Sequence, residues 1–198
     1  MEPGRPGRAG DPPHTEPATD VFTAILNRRS VRSYAARPIP GPALARLLQA
    51  VRAAPSACNL QPWHFVLITA PDLRRRVAAA CNDQHWLAGA PLIVAGCALP
   101  QQAYQHMGGL GNSAALDVAI ALDHLTLAAV AEGLGTCWIG AFDEDRVRKL
   151  LEIPARMRIV ALTPVGYPAQ PDLISPLDEA RRKPSAAIFS HERFGGAA

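Results

Sequence analysis

Apolar residues recur along this chain with two different periods from about residue 20 onward. Four short apolar runs have the length and composition of strands: 65–69, 92–96, 137–140 and 159–165. Helical spacing of apolar residues predicts five helices: 20–27, 42–53, 72–81, 114–132 and 143–151. Because strands and helices alternate without internal repeats, the pattern predicts a layered α/β or α+β architecture.

The predicted helix over 114–132 is apolar on almost every side. The residues that interrupt it are Asp117, Asp123, His124 and Glu132. Since such a helix has no broad polar face to present to water, we expect it to be buried, either inside the domain or between subunits.

Residues 1–19 differ in composition from the rest of the chain. They contain five prolines and three glycines and have almost no apolar residues. A segment of this kind cannot bury enough surface to offset the entropy of ordering, so it is predicted to be a disordered tail. The remaining residues, 20–198, have a length that suits one domain.

Net charge is small, at +3 from 20 basic and 17 acidic side chains. Such a balance does not favour binding to nucleic acid or to a membrane surface. We find no apolar run of about 18 residues, the length of a membrane span, and no pattern of a secretion signal. The sequence therefore predicts a soluble, cytoplasmic protein.

Neither the cysteines nor the histidines have the spacing of a metal site. The four cysteines form no C-x-x-C pair and are expected to be reduced, buried thiols: Cys58, Cys81, Cys97 and Cys137. The segment Gly109-x-Gly111-x-x-Ala114 imitates a dinucleotide-binding motif, but no strand is predicted before it, so we reject that interpretation. No G-x-S-x-G motif is present either, and the chemistry of an enzyme of this sequence would belong to a cofactor.

Residues 28–34 are the candidate anion site. They place three arginines and two serines in seven positions, immediately after the first predicted helix. A phosphate offers several acceptor oxygens, and arginine meets them with a planar fork of donors. Taken alone, the same run could be a solvated basic loop or a nuclear-localisation-like patch.

Further motifs follow the arginine run in a fixed order. They are Pro-Ser-x-x-Asn-x-Gln-Pro-Trp at 55–63, Asn-Asp-Gln at 82–84, Ala-Pro at 90–91, Gly-Leu-Gly-Thr-Cys-Trp-Ile-Gly at 133–140 and Val-Gly-Tyr-Pro at 165–168. In this order and spacing the chain resembles the FMN-dependent nitroreductase family from about residue 20 to 194. The resemblance implies an α+β, three-layer fold with a mixed central sheet flanked by helices. It also implies an intertwined homodimer with FMN at the subunit interface.

The resemblance also implies a role for each matching residue. Arg28, Ser30 and Arg32 resemble the ligands of the phosphate, ribityl chain and pyrimidine edge, with Arg29 beside them and Arg182 completing the phosphate clamp. Segments that approach the flavin ring would come partly from the partner subunit: Pro55, Ser56, Ala57, Asn59 and Gln61. Asn82 is implied to contact the cofactor, and His85 occupies a position where some members place a lysine near the flavin pyrimidine. The last group would pack on the ring and donate the Gly140 N–H to flavin N5: Trp138, Ile139, Gly140 and Ala141.

The implied activity is transfer of hydride from NADH or NADPH through FMN to a nitroaromatic, a quinone or a similar acceptor, with ping-pong kinetics. One alternative keeps the fold and makes the protein a flavin store or sensor without significant turnover. Another has the arginine run bind nucleic acid, which predicts strong salt dependence and a colourless protein.

Overall fold

The structure, a computed structural model, describes residues 19–196. The described chain contains helices α1 (Val21–Asn27), α2 (Gly41–Arg52), α3 (Pro71–Ala80), α4 (Ala114–Ala131) and α5 (Glu144–Leu151). Its strands are β1 (Trp63–Ile68), β2 (Leu92–Ala98), β3 (Gly135–Thr136) and β4 (Arg158–Gly166). The tail predicted to be disordered, 1–19, lies outside the described residues except for Thr19.

The four strands form one sheet in the order β1-β2-β4-β3, and every pair of these strands is antiparallel. Within residues 19–196, parallel pairing is limited to an isolated bridge between Ser30 and Thr136. The α+β class is confirmed, whereas the mixed character of the sheet depends on this one bridge. Val160 is an extra residue on β4, because Gly96 pairs with Ala161 while Cys97 pairs with Ile159. The bulge bends β4 and ends the alternation of its faces there.

Helices cover both faces of the sheet and make three layers. One apolar cluster joins α2 and α4 to the first face, which includes Val94 and Val165. The second cluster joins α3 and α5 to the opposite face, which includes Ile93 and Leu162. All seven residues of β2 are buried, as expected for a central strand covered on both sides.

Local sequence explains where the helices begin. Asp20 caps α1 by accepting a hydrogen bond from the Thr23 N–H at 3.0 Å, and Asp143 caps α5 through the Arg146 N–H at 3.0 Å. Helices α2 and α3 each have proline in the first turn. A short 3₁₀ turn, Gly108–Leu110, precedes α4 where a dinucleotide-binding motif requires a strand.

Helix α4 is the core helix of the domain. Among the described residues it is the one helix long and apolar enough, by length and composition, to cross a membrane. Nine of its 18 residues are buried against α2 and the sheet. Its outer side still exposes Leu116 and Ile120, each 39% accessible. Burial inside the domain, the first alternative of the sequence prediction, is confirmed for one side of α4, and burial of the other side between subunits stays a prediction.

The predicted strand over 137–140 is wrong in its bounds. Strand β3 comprises Gly135–Thr136, and only Ile139 pairs further on, in an antiparallel bridge with Leu162. Cys137 and Ile139 are buried, whereas Trp138 and Gly140 are exposed. Burial of alternate residues is typical of extended backbone. It does not show which backbone groups find a partner strand.

Candidate functional site

The arginine run lies in a cleft formed with the C-terminal part of the chain. We call it the arginine cleft; it has a volume of about 280 Å³ and is lined by Arg28, Arg29, Ser30, Leu177, Asp178, Arg181 and Arg182. Helix α1 ends at Asn27, and the Arg28 N–H donates to the Ala24 carbonyl at 2.9 Å. The chain direction after α1 therefore places consecutive arginines at the cleft.

Contacts with β3 hold the arginine run against the sheet. The Val31 N–H donates to the Thr136 carbonyl at 2.9 Å, and the Tyr34 hydroxyl donates to the Val31 carbonyl at 2.7 Å. Burial raises the pKa of Tyr34. Gly135 allows this close approach, since a Cβ at that position would lie 2.6 Å from Cγ2 of Val31. The backbone beneath the cleft is thus fixed by packing and by hydrogen bonds.

Arg29 is the most constrained cation of the cleft. Its Nη1 donates to the Arg28 carbonyl at 2.6 Å, while its Nη2 is buried and has no hydrogen-bond partner among the described residues. Burial lowers the pKa of Arg29, and the charges of Arg28 and Arg182 lower it further, against the opposing effect of Asp178. A buried donor without an acceptor is costly, so this site suits an added anion with several acceptor oxygens.

A second group of predicted residues lies beside the turn after α3. The guanidinium carbon of Arg32 lies 6.0 Å from the centroid of the Trp86 ring. Gln84 in the same turn donates from Nε2 to the Ala141 carbonyl at 3.4 Å. Asn82 adopts a left-handed conformation with φ of 52°, and His85 is exposed. The turn therefore brings Arg32 near the segment over 138–141, which the linear sequence separates by about 100 residues.

Gly140 presents its backbone to open space. Ile139 exchanges backbone hydrogen bonds with Leu162 at 2.8 and 3.0 Å, which fixes the neighbouring peptide. Between residues 19 and 196 no hydrogen bond uses the Gly140 N–H, and a Cβ placed there would meet no atom within 4 Å. Trp138, at 36% accessible, flanks this opening. A fixed backbone donor is thus available to a planar ligand.

Four of the five remaining predicted residues lie in what we call the 56–61 loop, between α2 and β1, and the fifth, Pro55, immediately precedes it. The Gln61 N–H donates to Ser56 Oγ at 2.9 Å, and Gln61 Nε2 lies 3.2 Å from both the carbonyl oxygen and the Oδ1 of Asn59. Cys58, Asn59 and Gln61 all have left-handed φ angles, of 51°, 54° and 50°. These bonds hold an unusual loop conformation that leaves Asn59 and Gln61 exposed.

Within one chain, this loop and the arginine cleft lie at opposite ends of α4. The Ala57 N–H donates to Asp117 in the first turn of α4, whereas Ser30 pairs with Thr136, just beyond the last turn. The helix axis from Asp117 to Ala131 spans about 21 Å, at about 1.5 Å per residue. The structure therefore brings together the cleft, the 82–86 turn and the 138–141 segment, but it does not bring the 56–61 loop to them.

Several residues of the site escaped the sequence analysis. Asp178 and Arg181 line the cleft beside the predicted Arg182, and Trp86 lies under Arg32. Asp117 was noted only as an interruption of an apolar helix, although a polar residue at such a position is itself a signal. The expectation that all four cysteines are buried is wrong for Cys58, because it belongs to the exposed 56–61 loop.

Comparison with known proteins agrees with this architecture. The profile of the Nitroreductase family matches residues 25–93 and 80–167. A protein of Thermus thermophilus named NADH dehydrogenase is 32% identical over 185 residues, which cover 79% of this chain and 90% of that protein. The FMN reductase (NAD(P)H) of Bacillus subtilis is 27% identical over 190 residues, covering 88% and 74%.

A solved structure of similar fold is that of a nitroreductase family protein from Clostridium novyi NT. The TM-score is 0.71 at 26% sequence identity, and the alignment covers 90% of this chain and 97% of that one. Since the family profile matches most of the chain, and the Thermus relative is similar along most of its length, this protein belongs to the nitroreductase family.

Proposed function

We propose that this chain binds FMN and is an NAD(P)H-dependent flavin oxidoreductase. The observation that carries the proposal is the buried Arg29 Nη2, which has no acceptor of its own in the arginine cleft. Membership of a family that includes an FMN reductase supports the choice of flavin among phosphate-bearing ligands. The residues present therefore fit the cofactor.

The arginine cleft would hold the flavin phosphate. Arg28, Arg29 and Arg182 supply guanidinium donors, and Ser30 adds a hydroxyl at the mouth of the same cleft. A charge-assisted bond from Arg29 would satisfy its buried donor and relieve the repulsion among the arginines. Asp178 also lines the cleft, and its negative charge would reduce the net attraction for an anion.

The ring would lie along the 138–141 segment. Gly140 offers its N–H to flavin N5, with Trp138, Ile139 and Ala141 beside it, and Arg32 provides the cation that offsets negative charge at the pyrimidine edge. Asn82 and His85 belong to the turn on the same side. Bound FMN supplies the hydride-transfer chemistry between NAD(P)H and an acceptor. The protein supplies placement, charge and access.

A second copy of the chain completes the site. The 56–61 loop of one chain lies about one α4 length from its own arginine cleft. Pro55 and the loop residues Ser56, Ala57, Asn59 and Gln61 would therefore serve the site of a partner. Helix α1 contacts α4 and exposes four large apolar residues of its own: Val21, Phe22, Ile25 and Leu26. Such a patch favours an interface between copies. A two-fold homodimer then has two equivalent flavin sites.

The acceptor is a nitroaromatic, a quinone or a similar compound, and the two half-reactions follow a ping-pong order. The open space at Gly140 and the exposure of Trp138 support this scheme. Both substrates would use the same accessible side of the ring, so the oxidised nicotinamide must leave before the acceptor binds.

The test is a spectrum of the purified protein with added FMN, recorded before and after NADH or NADPH under anaerobic conditions. We expect a flavin spectrum that bleaches within the dead time of manual mixing and returns when menadione or a nitrofuran is added. The same protein should elute as a dimer on size exclusion. Failure of the purified protein to bind FMN refutes the proposal. Tight binding without bleaching refutes the enzyme and favours a flavin store.

A further inference from the structure

Helix α4 contains a buried carboxylate in a setting that is otherwise apolar. Asp117 is 3% accessible and its neighbour Ser113 is fully buried. Both carboxylate oxygens have donors: the Ala57 N–H reaches Oδ1 at 3.0 Å, and Ser113 Oγ reaches Oδ2 at 2.7 Å. Burial of a carboxylate is unfavourable unless it is hydrogen-bonded. Its place in the first turn of α4 also offsets part of that cost through the helix dipole.

The Ala57 N–H is a contact between distant parts of the chain. It joins α4 to the 56–61 loop across 60 residues of sequence. The other side-chain hydrogen bonds of that loop are internal: Gln61 to Ser56 and Gln61 to Asn59. Internal bonds fix the shape of the loop, but they do not fix its direction relative to the domain. The bond to Asp117 does.

The loop needs such an anchor because its conformation is unfavourable. Three of its residues have left-handed backbone angles and none of them is glycine, and each such angle costs free energy for an L-amino acid. A charged acceptor makes a stronger bond to a backbone N–H than a neutral one does. Asp117 is therefore placed to compensate for strain at the loop.

We propose that Asp117 is a positioning residue for the flavin ring. It orients the 56–61 loop so that Asn59 and Gln61 meet the ring bound by the partner subunit. Ser113 assists by orienting the carboxylate through Oδ2. The inference rests on the proposed function, because a loop with no flavin to meet would have nothing to position. Asp117 itself touches neither cofactor nor substrate.

The rival explanation is that Asp117 merely stabilises the core, and matched variants separate the two. Asp117→Ala removes the anchor, whereas Asp117→Asn keeps an oxygen for the Ala57 N–H and an amide for Ser113 Oγ. Val118→Ala creates a defect at the next buried residue of the same helix, which packs on Gly96 rather than on the loop. Asp123→Asn removes an exposed charge from the same helix.

The experiment measures FMN affinity by fluorescence quenching, the visible circular dichroism of bound FMN, and the thermal midpoint of the ligand-free dimer. Loss of a charge-assisted bond corresponds to a factor of roughly 10 to 150. We therefore expect Asp117→Ala to weaken FMN binding at least tenfold and to alter the dichroism. Asp117→Asn should recover most of both. Val118→Ala should lower the midpoint while leaving affinity and dichroism as in the wild type, and Asp123→Asn should change none of the three.

The outcomes distinguish this inference from the proposed function. If wild-type protein binds FMN and Asp117→Ala binds it equally well with the same dichroism, the positioning role is refuted and the proposed function stands. If the wild type binds no FMN, both fail. Should Asp117→Ala not fold, Ser113→Ala takes its place, with an expected loss of affinity of about threefold or more and the same altered dichroism. Unchanged values in that variant overturn the inference.

Discussion

Arg29→Met is the most direct perturbation of the proposed phosphate site. Methionine keeps most of the aliphatic stem of the side chain and removes the guanidinium. In the ligand-free protein that guanidinium is poorly accommodated, since Nη2 is buried without a partner and the charges of Arg28 and Arg182 are close. The hydrogen bond from Nη1 to the Arg28 carbonyl is lost in exchange. These effects oppose each other, so the free energy of unfolding should change by less than about 1 kcal/mol, or ~2–4 °C in Tm.

Binding of FMN should respond far more strongly. Removal of one charge-assisted bond to a phosphate costs about 1.5–3 kcal/mol. At ~1.4 kcal/mol per factor of ten, the Kd for FMN should rise roughly 10- to 150-fold. Riboflavin has the same ring but no phosphate, so its affinity should stay as in the wild type. The ratio of the two affinities therefore measures the contribution of the arginine cleft to FMN binding, separately from the contacts to the ring.

Quenching of flavin fluorescence on titration with protein measures both affinities in one assay. Repeating it at low and high salt should show a smaller salt dependence for the Arg29→Met variant, because one fewer cation faces the phosphate. Arg156→Met removes the same charge from an exposed site elsewhere and should match the wild type. The reasoning is refuted if Arg29→Met leaves the ratio of the FMN and riboflavin affinities as it is in the wild type.

Three other predictions concern glycine, helix capping and thiols. Gly135→Ala should clash with Val31 beneath the arginine cleft, destabilise the protein by about 1–3 kcal/mol and weaken FMN binding. Gly89→Ala is the control, because a Cβ at that position meets open space. Equal Tm values for the two variants would contradict the packing argument. Glu152 caps the end of α5 with a left-handed φ of 54°, so Glu152→Gly should stabilise the protein by about 0.5–1 kcal/mol. The relieved left-handed penalty, ~1–2 kcal/mol, exceeds the cost of the extra conformational entropy that glycine gives the unfolded chain. An unchanged or lower Tm would count against this prediction. Iodoacetamide at pH 8 should label only Cys58 in the native protein and all four thiols in denaturant, as mass spectrometry of peptides would show. Rapid labelling of Cys81 or Cys97 in the native protein would be inconsistent with their burial, which raises the pKa of each thiol to about 11.

The spacing of apolar residues predicted the helices and most strands to within about two residues at their ends. Helix α4 spans Ala114–Ala131, against a prediction of 114–132, and β4 spans Arg158–Gly166, against 159–165. These elements could be predicted from sequence because helices and strands repeat their buried positions with different periods. The strand over 137–140 was harder to predict from sequence, because pairing of its backbone depends on β4 and on nothing within the segment itself.

The chemistry of the arginine run was also readable from sequence. Arginines at 28, 29 and 32 are close in any conformation, so a site for an anion could be expected before any fold was known. The order of motifs in the chain added the family resemblance, which the family profile confirms. The role of each residue toward flavin stays a prediction.

What the tertiary structure alone decided is which distant residues meet and which do not. Sequence determined the local elements and the clustering of the arginines, because neighbours in the chain must be neighbours in space. The return of Asp178 to the arginine cleft and the bond from Ala57 to Asp117 depend on the path of the whole chain, and no local pattern encodes them. The length of α4 separates the 56–61 loop from the cleft. For that reason the two groups of residues proposed to contact flavin lie at opposite ends of α4 within one folded chain.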